Sequence, residues 1–235
     1  MRSSVSIFFI LLTGNFLAQK ESGNSYNLFW LAYSNNVQLN SKWNVNTDIQ
    51  HRTKNGFETQ SISAIRTALG YKVNRVITVS SGAAHFRYFI KNDLTRGEWR
   101  PYQEMLANLD FGTVKITNRV RTEERFNQVV VNDVLTSNYK FNWRFRYKID
   151  LEFPLFKQDE RVHSLSFGNE FMINVGKTIV NPYDQNRSSV SFNYQLSKNV
   201  KLQFQYIYIV QYIASKDNYD RISAFRLNFQ HTVKL

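Results

Sequence analysis

The chain has no cysteine, which excludes a disulfide framework, thiolate zinc sites, a cysteine nucleophile and a lipid anchor on an N-terminal thiol. Its 3 prolines, Pro101, Pro154 and Pro182, are too few for a Pro-rich linker or tail. Past the N-terminal segment no run of about eighteen apolar residues occurs, so no transmembrane helix can be read from it. No stretch carries a convincing period of 3.6, and no internal repeat shows beyond the spacing of strand-like segments. Metal-ligand spacings and phosphate-cradling glycine loops are missing as well. No cofactor, no metal and no catalytic residue is therefore expected.

What the chain does have is aromatic side chains, at 15%, and a formal charge of +12. The basic residues are not clustered. They alternate with aromatics inside long strand-like segments, which argues against a nucleic-acid partner. A phosphate-bearing lipid such as lipopolysaccharide is the acidic neighbour that such a chain fits.

The N-terminus resembles a secretory signal peptide. Arg2 is a short positive region, Val5 to Leu12 an apolar one, and Ala18-Gln19 a cleavage point, with Phe16 where a small residue is usual. The expected division is a signal peptide over 1–18 and a single exported domain over 19–235.

Periodicity supplies the fold. From Tyr139 to Phe153 every odd residue is apolar or aromatic and every even one is polar, fifteen residues of period two without exception. Segments at 43–52, 114–126, 165–175, 200–214 and the C-terminus alternate as well, and weaker ones fit at 26–39, 60–72, 76–89, 98–109 and 187–196. Soluble strands peak near five or six residues, while a tilted membrane strand needs about 9–11. The clear segments here run to about ten to fifteen. Their apolar face is rich in Tyr and Phe and their polar face mixes Arg, Lys, Asp and Glu, the inverse of a soluble barrel with its charges outside. The reading is an all-β, single antiparallel up-and-down transmembrane barrel. About eleven strands can be counted. Bacterial single-chain barrels have an even number, so about 12 are expected, with 10 as the alternative. Counting back from the end, long loops at 214–221, 177–186, 127–138, 90–97 and 53–59 alternate with mostly shorter turns at 197–199, 154–161, 110–112, 73–75 and 40–42.

Several motifs then recur in an order that resembles one family. They are Lys42-Trp43 with Gln50-His51-Arg52, Ala68-Leu69-Gly70-Tyr71, Glu98-Trp99-Arg100-Pro101-Tyr102-Gln103-Glu104 and Asn118-Arg119-Val120-Arg121-Thr122-Glu123-Glu124-Arg125. Trp143-Arg144-Phe145-Arg146-Tyr147, Asn169-Glu170 and Asn186-Arg187 complete the series. The chain resembles the domain-of-unknown-function 2490 family of outer-membrane β-barrel proteins. The resemblance implies a barrel of about ten to twelve strands and no particular activity.

The best candidates for function are two charged rows. Arg119, Arg121, Glu123 and Arg125 share one face of a strand. Arg144, Arg146, Lys148, Asp150 and Glu152 share one face of the next. They are expected to line the interior, either as an anion-selective lumen or, the favoured reading, as a salt-bridge ladder that fills it, because an unpaired charge in low dielectric is costly. Of the histidines, His51, His85, His163 and His231, the pair conceivable for ester hydrolysis is His85 with Ser61 or Ser63 on the neighbouring strand.

The expected function is an outer-membrane barrel of a Gram-negative bacterium, porin-like or structural, with a charged interior. The alternatives are an outer-membrane lipid-modifying enzyme and a soluble secreted all-β protein. Expected partners are outer-membrane lipid and lipopolysaccharide, and the barrel-assembly machinery during insertion.

Overall fold

A computed structural model describes residues 23–91, 93–132 and 134–235. The expected signal peptide over 1–18 lies outside the described residues. Eleven strands follow one another: β1 (Ser25–Gln38), β2 (Trp43–Lys54), β3 (Thr59–Lys72), β4 (Ile77–Ile90), β5 (Asp93–Asp110), β6 (Lys115–Val131), β7 (Val134–Gln158), β8 (Arg161–Val175), β9 (Tyr183–Gln195), β10 (Val200–Ile213) and β11 (Asn218–Lys234). A single 3-10 turn, Ala214–Lys216, precedes β11, and no α-helix occurs among the described residues.

Each strand pairs antiparallel with its successor, and β11 closes the sheet on β1, so the fold is one closed barrel. The count is one below the expected twelve, and its parity has a topological consequence. Ten successive hairpin reversals leave β1 and β11 running the same way. Closure is therefore parallel, in a continuous register from Ser25↔Arg221 to Gln38↔Lys234. The remaining neighbours are antiparallel, and no sheet edge is left unpaired.

Several of the expected loops turn out to be strand. β4 and β5 are joined by 91–92, β6 and β7 by 132–133, β7 and β8 by 159–160. The ladders carry on through stretches such as Phe89-Ile90, Val129-Val130-Val131 and Leu155-Phe156, and the residue that follows each of β4, β6 and β7 is left-handed: Lys91 (φ 49), Asn132 (φ 49) and Asp159 (φ 54). Asn and Asp tolerate that conformation, which is why polar, loop-like composition and a tight hairpin coincide here. Pro101 sits well inside β5. The β5–β6 register runs Trp99↔Phe126 and then Tyr102↔Glu123, so the residue without an N–H falls where the ladder is interrupted. Pro154 adjoins a register shift between β7 and β8.

Alternation turns one face of each strand in and the other out. In β7, Arg144 is 4% exposed and Phe145 42%. Phe141, Trp143 and Tyr147 stand outside with Phe145, as do Trp99, Val120, Phe167, Phe171, Phe204, Phe225 and Leu227 from other strands. Inside, two apolar clusters flank the charged middle. One is built of Leu28, Trp30, Ile207, Ile209, Ile222 and Ala224 on β1, β10 and β11. The other, Ala64, Ala68, Ala84, Phe86 and Tyr102, lies on β3 to β5.

Candidate functional site

The charged middle is assembled by cross-strand register. β6 and β7 put Arg121 opposite Arg146 and Arg119 opposite Lys148. Like charges placed face to face repel, so between these two strands the central charges are offset only through Glu123, which stands opposite Arg144 and accepts from Arg146. The missing carboxylates come from the strands on either side. From β5, Glu104 accepts from Arg121 Nε at 2.7 Å and lies 3.5 Å from Arg119 Nε. From β8, Glu170 accepts from Arg146 Nε at 2.9 Å and Nη2 at 2.6 Å, and also from Arg119. Glu123 stands at the centre, accepting from Arg146 and lying within 3.6–3.8 Å of Arg100, Arg121 and Arg144.

A second knot surrounds Glu98, whose side chain is fully buried. Arg100 donates to it twice, at 2.7 Å and 2.8 Å, Tyr88 donates its hydroxyl at 2.7 Å, and Arg125 reaches it from β6. Such a two-pronged guanidinium–carboxylate contact fixes orientation as well as charge. Arg144 reaches across to Asp184 on β9 at 3.0 Å and shares Asn174 with Arg125. On the opposite wall Arg66 donates to Asp48 through Nε and Nη2, both at 2.9 Å. The guanidinium planes are also seated on rings: Arg100 over Phe86 at 3.7 Å and Arg121 over Tyr102 at 4.5 Å.

Of the residues singled out from sequence, Arg119, Arg121, Glu123, Arg125, Arg144 and Arg146 meet in this network. Lys148 and Asp150 pair with each other at 2.6 Å and are about a quarter exposed. Glu152 stands apart and accepts from Ser164 at 2.7 Å. The acids that complete the network, Glu98, Glu104, Glu170 and Asp184, were not among the candidates. Glu98, Arg100 and Glu104 share the spacing of two that marks one strand face, which was the available signal. Arg52, Arg96, Arg187 and Arg226 were also passed over, and they bound an interior cavity of about 300 Å³ beside Trp30.

His85 does not meet Ser63. It stands opposite Ile65 and packs in a tilted arrangement against Trp99, ring centres 4.4 Å apart. The serine is instead 3.0 Å from His51 Nδ1 on the outer surface, where it also accepts from Gln60. Among the described residues no group of three or more His, Asp or Glu is placed to hold a metal ion.

Fold and interior define a closed β-barrel built around a buried arginine–carboxylate network. A family model described as a protein of unknown function, the domain-of-unknown-function 2490 family, matches residues 27–220. The chain belongs to that family. No curated protein and no solved structure matches it.

Proposed function

We propose that the chain is an integral barrel of the outer membrane of a Gram-negative bacterium, exported by a cleaved N-terminal signal, and that its interior is sealed by the charge network instead of forming an open pore. The observation that carries this reading is inverted polarity along one strand. In β7, Asn142, Arg144 and Arg146 are buried while Phe141, Trp143, Phe145 and Tyr147 are outside. A barrel in water gains by the opposite arrangement, since exposed apolar area is unfavourable. In lipid the same surface is matched to its solvent, and the charges have only the interior to occupy. Strands of 12 to 25 residues exceed what a tilted crossing of the hydrocarbon needs.

The seal follows from the reach of the side chains. Arg119 on β6 bonds Glu170 on β8, Arg144 on β7 bonds Asp184 on β9, and Arg226 on β11 approaches Asp48 on β2 at 3.7 Å. Each contact spans an intervening strand, so the network projects into the barrel and narrows its interior around the cavity of about 300 Å³.

The test is planar-bilayer conductance of the purified chain, with heat-modifiable gel migration as the check for a folded barrel. Wild type should give conductance near zero, and replacing Arg144 and Arg146 with Ala should raise it. A wild-type channel with stable anion-selective conductance would overturn the seal. A chain that stays soluble without detergent would overturn the membrane assignment.

A further inference from the structure

The interior cavity of about 300 Å³ is lined by ten arginines and a lysine but only two carboxylates, Glu170 and Asp184. Several of those arginines are neutralised by acids outside the lining, as described above. Those around Trp30 are matched less closely: Arg226 stands 3.7 Å from Asp48, which also holds Arg66, and Arg187 stands 4.0 Å from Glu170, which also holds Arg119 and Arg146. Arg52 is 8% exposed, lies 3.8 Å over the Trp30 ring and donates to Gln50 at 2.8 Å. Among the described residues no carboxylate comes within ion-pair distance of Arg52 or of Arg96. The charged neighbours of Arg52 include Arg66, Arg187 and Arg226. Arg187 lies 5.5 Å from the centre of a Trp30 ring, donates to Gln185, and comes no nearer than 4.0 Å to Glu170.

The unmatched hydrogen-bonding groups of the cavity point the same way. Buried polar atoms in its lining that find no hydrogen-bond partner in the protein are Trp30 Nε1 and the Nε atoms of Arg52, Arg96, Arg226 and, despite its ion contact with Glu104, Arg119. All are donors. A buried donor without an acceptor is unfavourable, and a cluster of like charges adds to that. Water could accept the hydrogen bonds but would leave the charge uncompensated. A multivalent oxyanion does both.

We infer that this chamber is a binding site for a small soluble phosphate compound of the inorganic phosphate or pyrophosphate class, held by Arg52, Arg187 and Arg226 around Trp30 with Arg96 above. Guanidinium forks match phosphate oxygens in pairs, which favours arginine over lysine for this task. The volume is at the small end of ligand pockets, about 300–1,000 Å³, and suits a compact anion. Arg96 and Gln211 line the cavity and lie close to the connections 91–92 and 214–217, so the solute would enter from that end of the barrel. The inference goes beyond the outer-membrane reading and does not require it, since the chamber belongs to the folded barrel in detergent as well.

The experiment is thermal unfolding of the full folded chain in detergent, with inorganic pyrophosphate titrated against sodium chloride at matched ionic strength. Ligand that binds only the native barrel raises the midpoint in a saturable way. The midpoint should rise with pyrophosphate and not with chloride. Arg52→Gln and, separately, Arg226→Gln should each weaken the apparent affinity at least tenfold, while the exposed Lys157→Gln leaves it unchanged. Equal midpoints in pyrophosphate and chloride would overturn the site. So would a pyrophosphate effect that both interior variants retain. Bilayer conductance plays no part in this readout, so failure here and failure of the sealed-barrel reading are distinguishable.

Discussion

The two walls of the barrel interior use the same side chain in opposite ways. On β5 to β8 the central arginines meet carboxylates: Arg100 and Arg125 share Glu98, Arg121 takes Glu104, Arg146 takes Glu170 and Glu123. Around β1, the arginines of β2, β9 and β11 meet an indole and glutamine amides, with Asp48 only at 3.7 Å from Arg226. On the first wall each central arginine has a carboxylate within ion-pair distance. The second carries surplus charge. Burial of arginine alone therefore says little about its role, and the partner set decides it.

The sharpest way to break that contrast is to remove an acid from the paired wall. Glu123 faces Arg100, Arg121, Arg144 and Arg146. Glu123→Gln keeps the shape and leaves those guanidinium groups short of one negative charge. Breaking a buried pair from one side costs about 3–5 kcal/mol. Guanidinium unfolding of the detergent-folded chain, read by heat-modifiable migration, should show a loss of that size. A loss below about 1 kcal/mol would mean that the network is solvated and not closed.

The second test concerns the outer face of the same wall. On the proposed membrane placement, with the position near the bilayer midplane, Phe145→Arg should destabilise the barrel by about 2–4 kcal/mol, although the natural neighbour on either side is arginine. Nitroxide labels at 144 and 145 should differ in accessibility to a lipid-soluble quencher, and equal accessibility would contradict the assignment of faces.

A third change probes the room that the network needs. Small residues on β3 and β4, namely Ala64, Ala68, Gly82 and Ala84, accompany the rings of Phe86 and Tyr102 under Arg100 and Arg121. A Cβ at Gly82 would stand 2.1 Å from the Thr67 carbonyl oxygen and 2.6 Å from the Ala68 Cβ. The first obstacle is backbone, so the strands themselves must part. Gly82→Ala should cost about 1–3 kcal/mol by overpacking, measurable in the same unfolding assay. No loss would show that β3 and β4 separate freely at this point.

Much of the barrel can be read from single strands, because facing is a period-two property. Tyr139 to Phe153 specifies its own inside and outside, and so does the run Lys115 to Arg125. Where both faces are apolar the signal fades. In β10, Tyr206 and Tyr208 are outside and Ile207 and Ile209 inside, and hydrophobicity alone does not separate them. Strand parity is a property of closure, not of any segment, so the parallel β1–β11 seam left no trace in the alternation. The segments 90–97 and 127–138 read as long loops in the sequence because Asn, Asp and Lys are as common in hairpin tips as in loops, whereas β5 begins at Asp93 and β7 at Val134. The network was legible only within β6 and β7. Glu98, Glu104, Glu170 and Asp184 become partners through the register of three further strands, β5, β8 and β9, which no local pattern encodes. The surplus of Arg52, Arg187 and Arg226 is less visible still. Each lies on a different strand, and the three come together only when β9, β10, β11, β1 and β2 close the circle.

The smallest expected effect is on that second wall, and its size is the point. Arg52→Gln gives up the stacking on Trp30, worth about 0.5–2 kcal/mol, and a bond to Gln50 worth about 1 kcal/mol. It also removes a positive charge that has Arg66, Arg187 and Arg226 for neighbours and no carboxylate within ion-pair distance. The two contributions oppose each other. In phosphate-free buffer the net change should stay within about 1 kcal/mol of wild type, with stabilisation as acceptable a result as loss. Set beside Glu123→Gln, this is a several-fold smaller effect from a residue that is just as buried. Equilibrium unfolding of both variants in one buffer makes the comparison direct. If Arg52→Gln costs as much as Glu123→Gln, the guanidinium of Arg52 is a structural member of a closed network like its counterparts on β5 to β8. The interior then has one wall, not two, and the case for a vacant charge that an anion would fill goes with it.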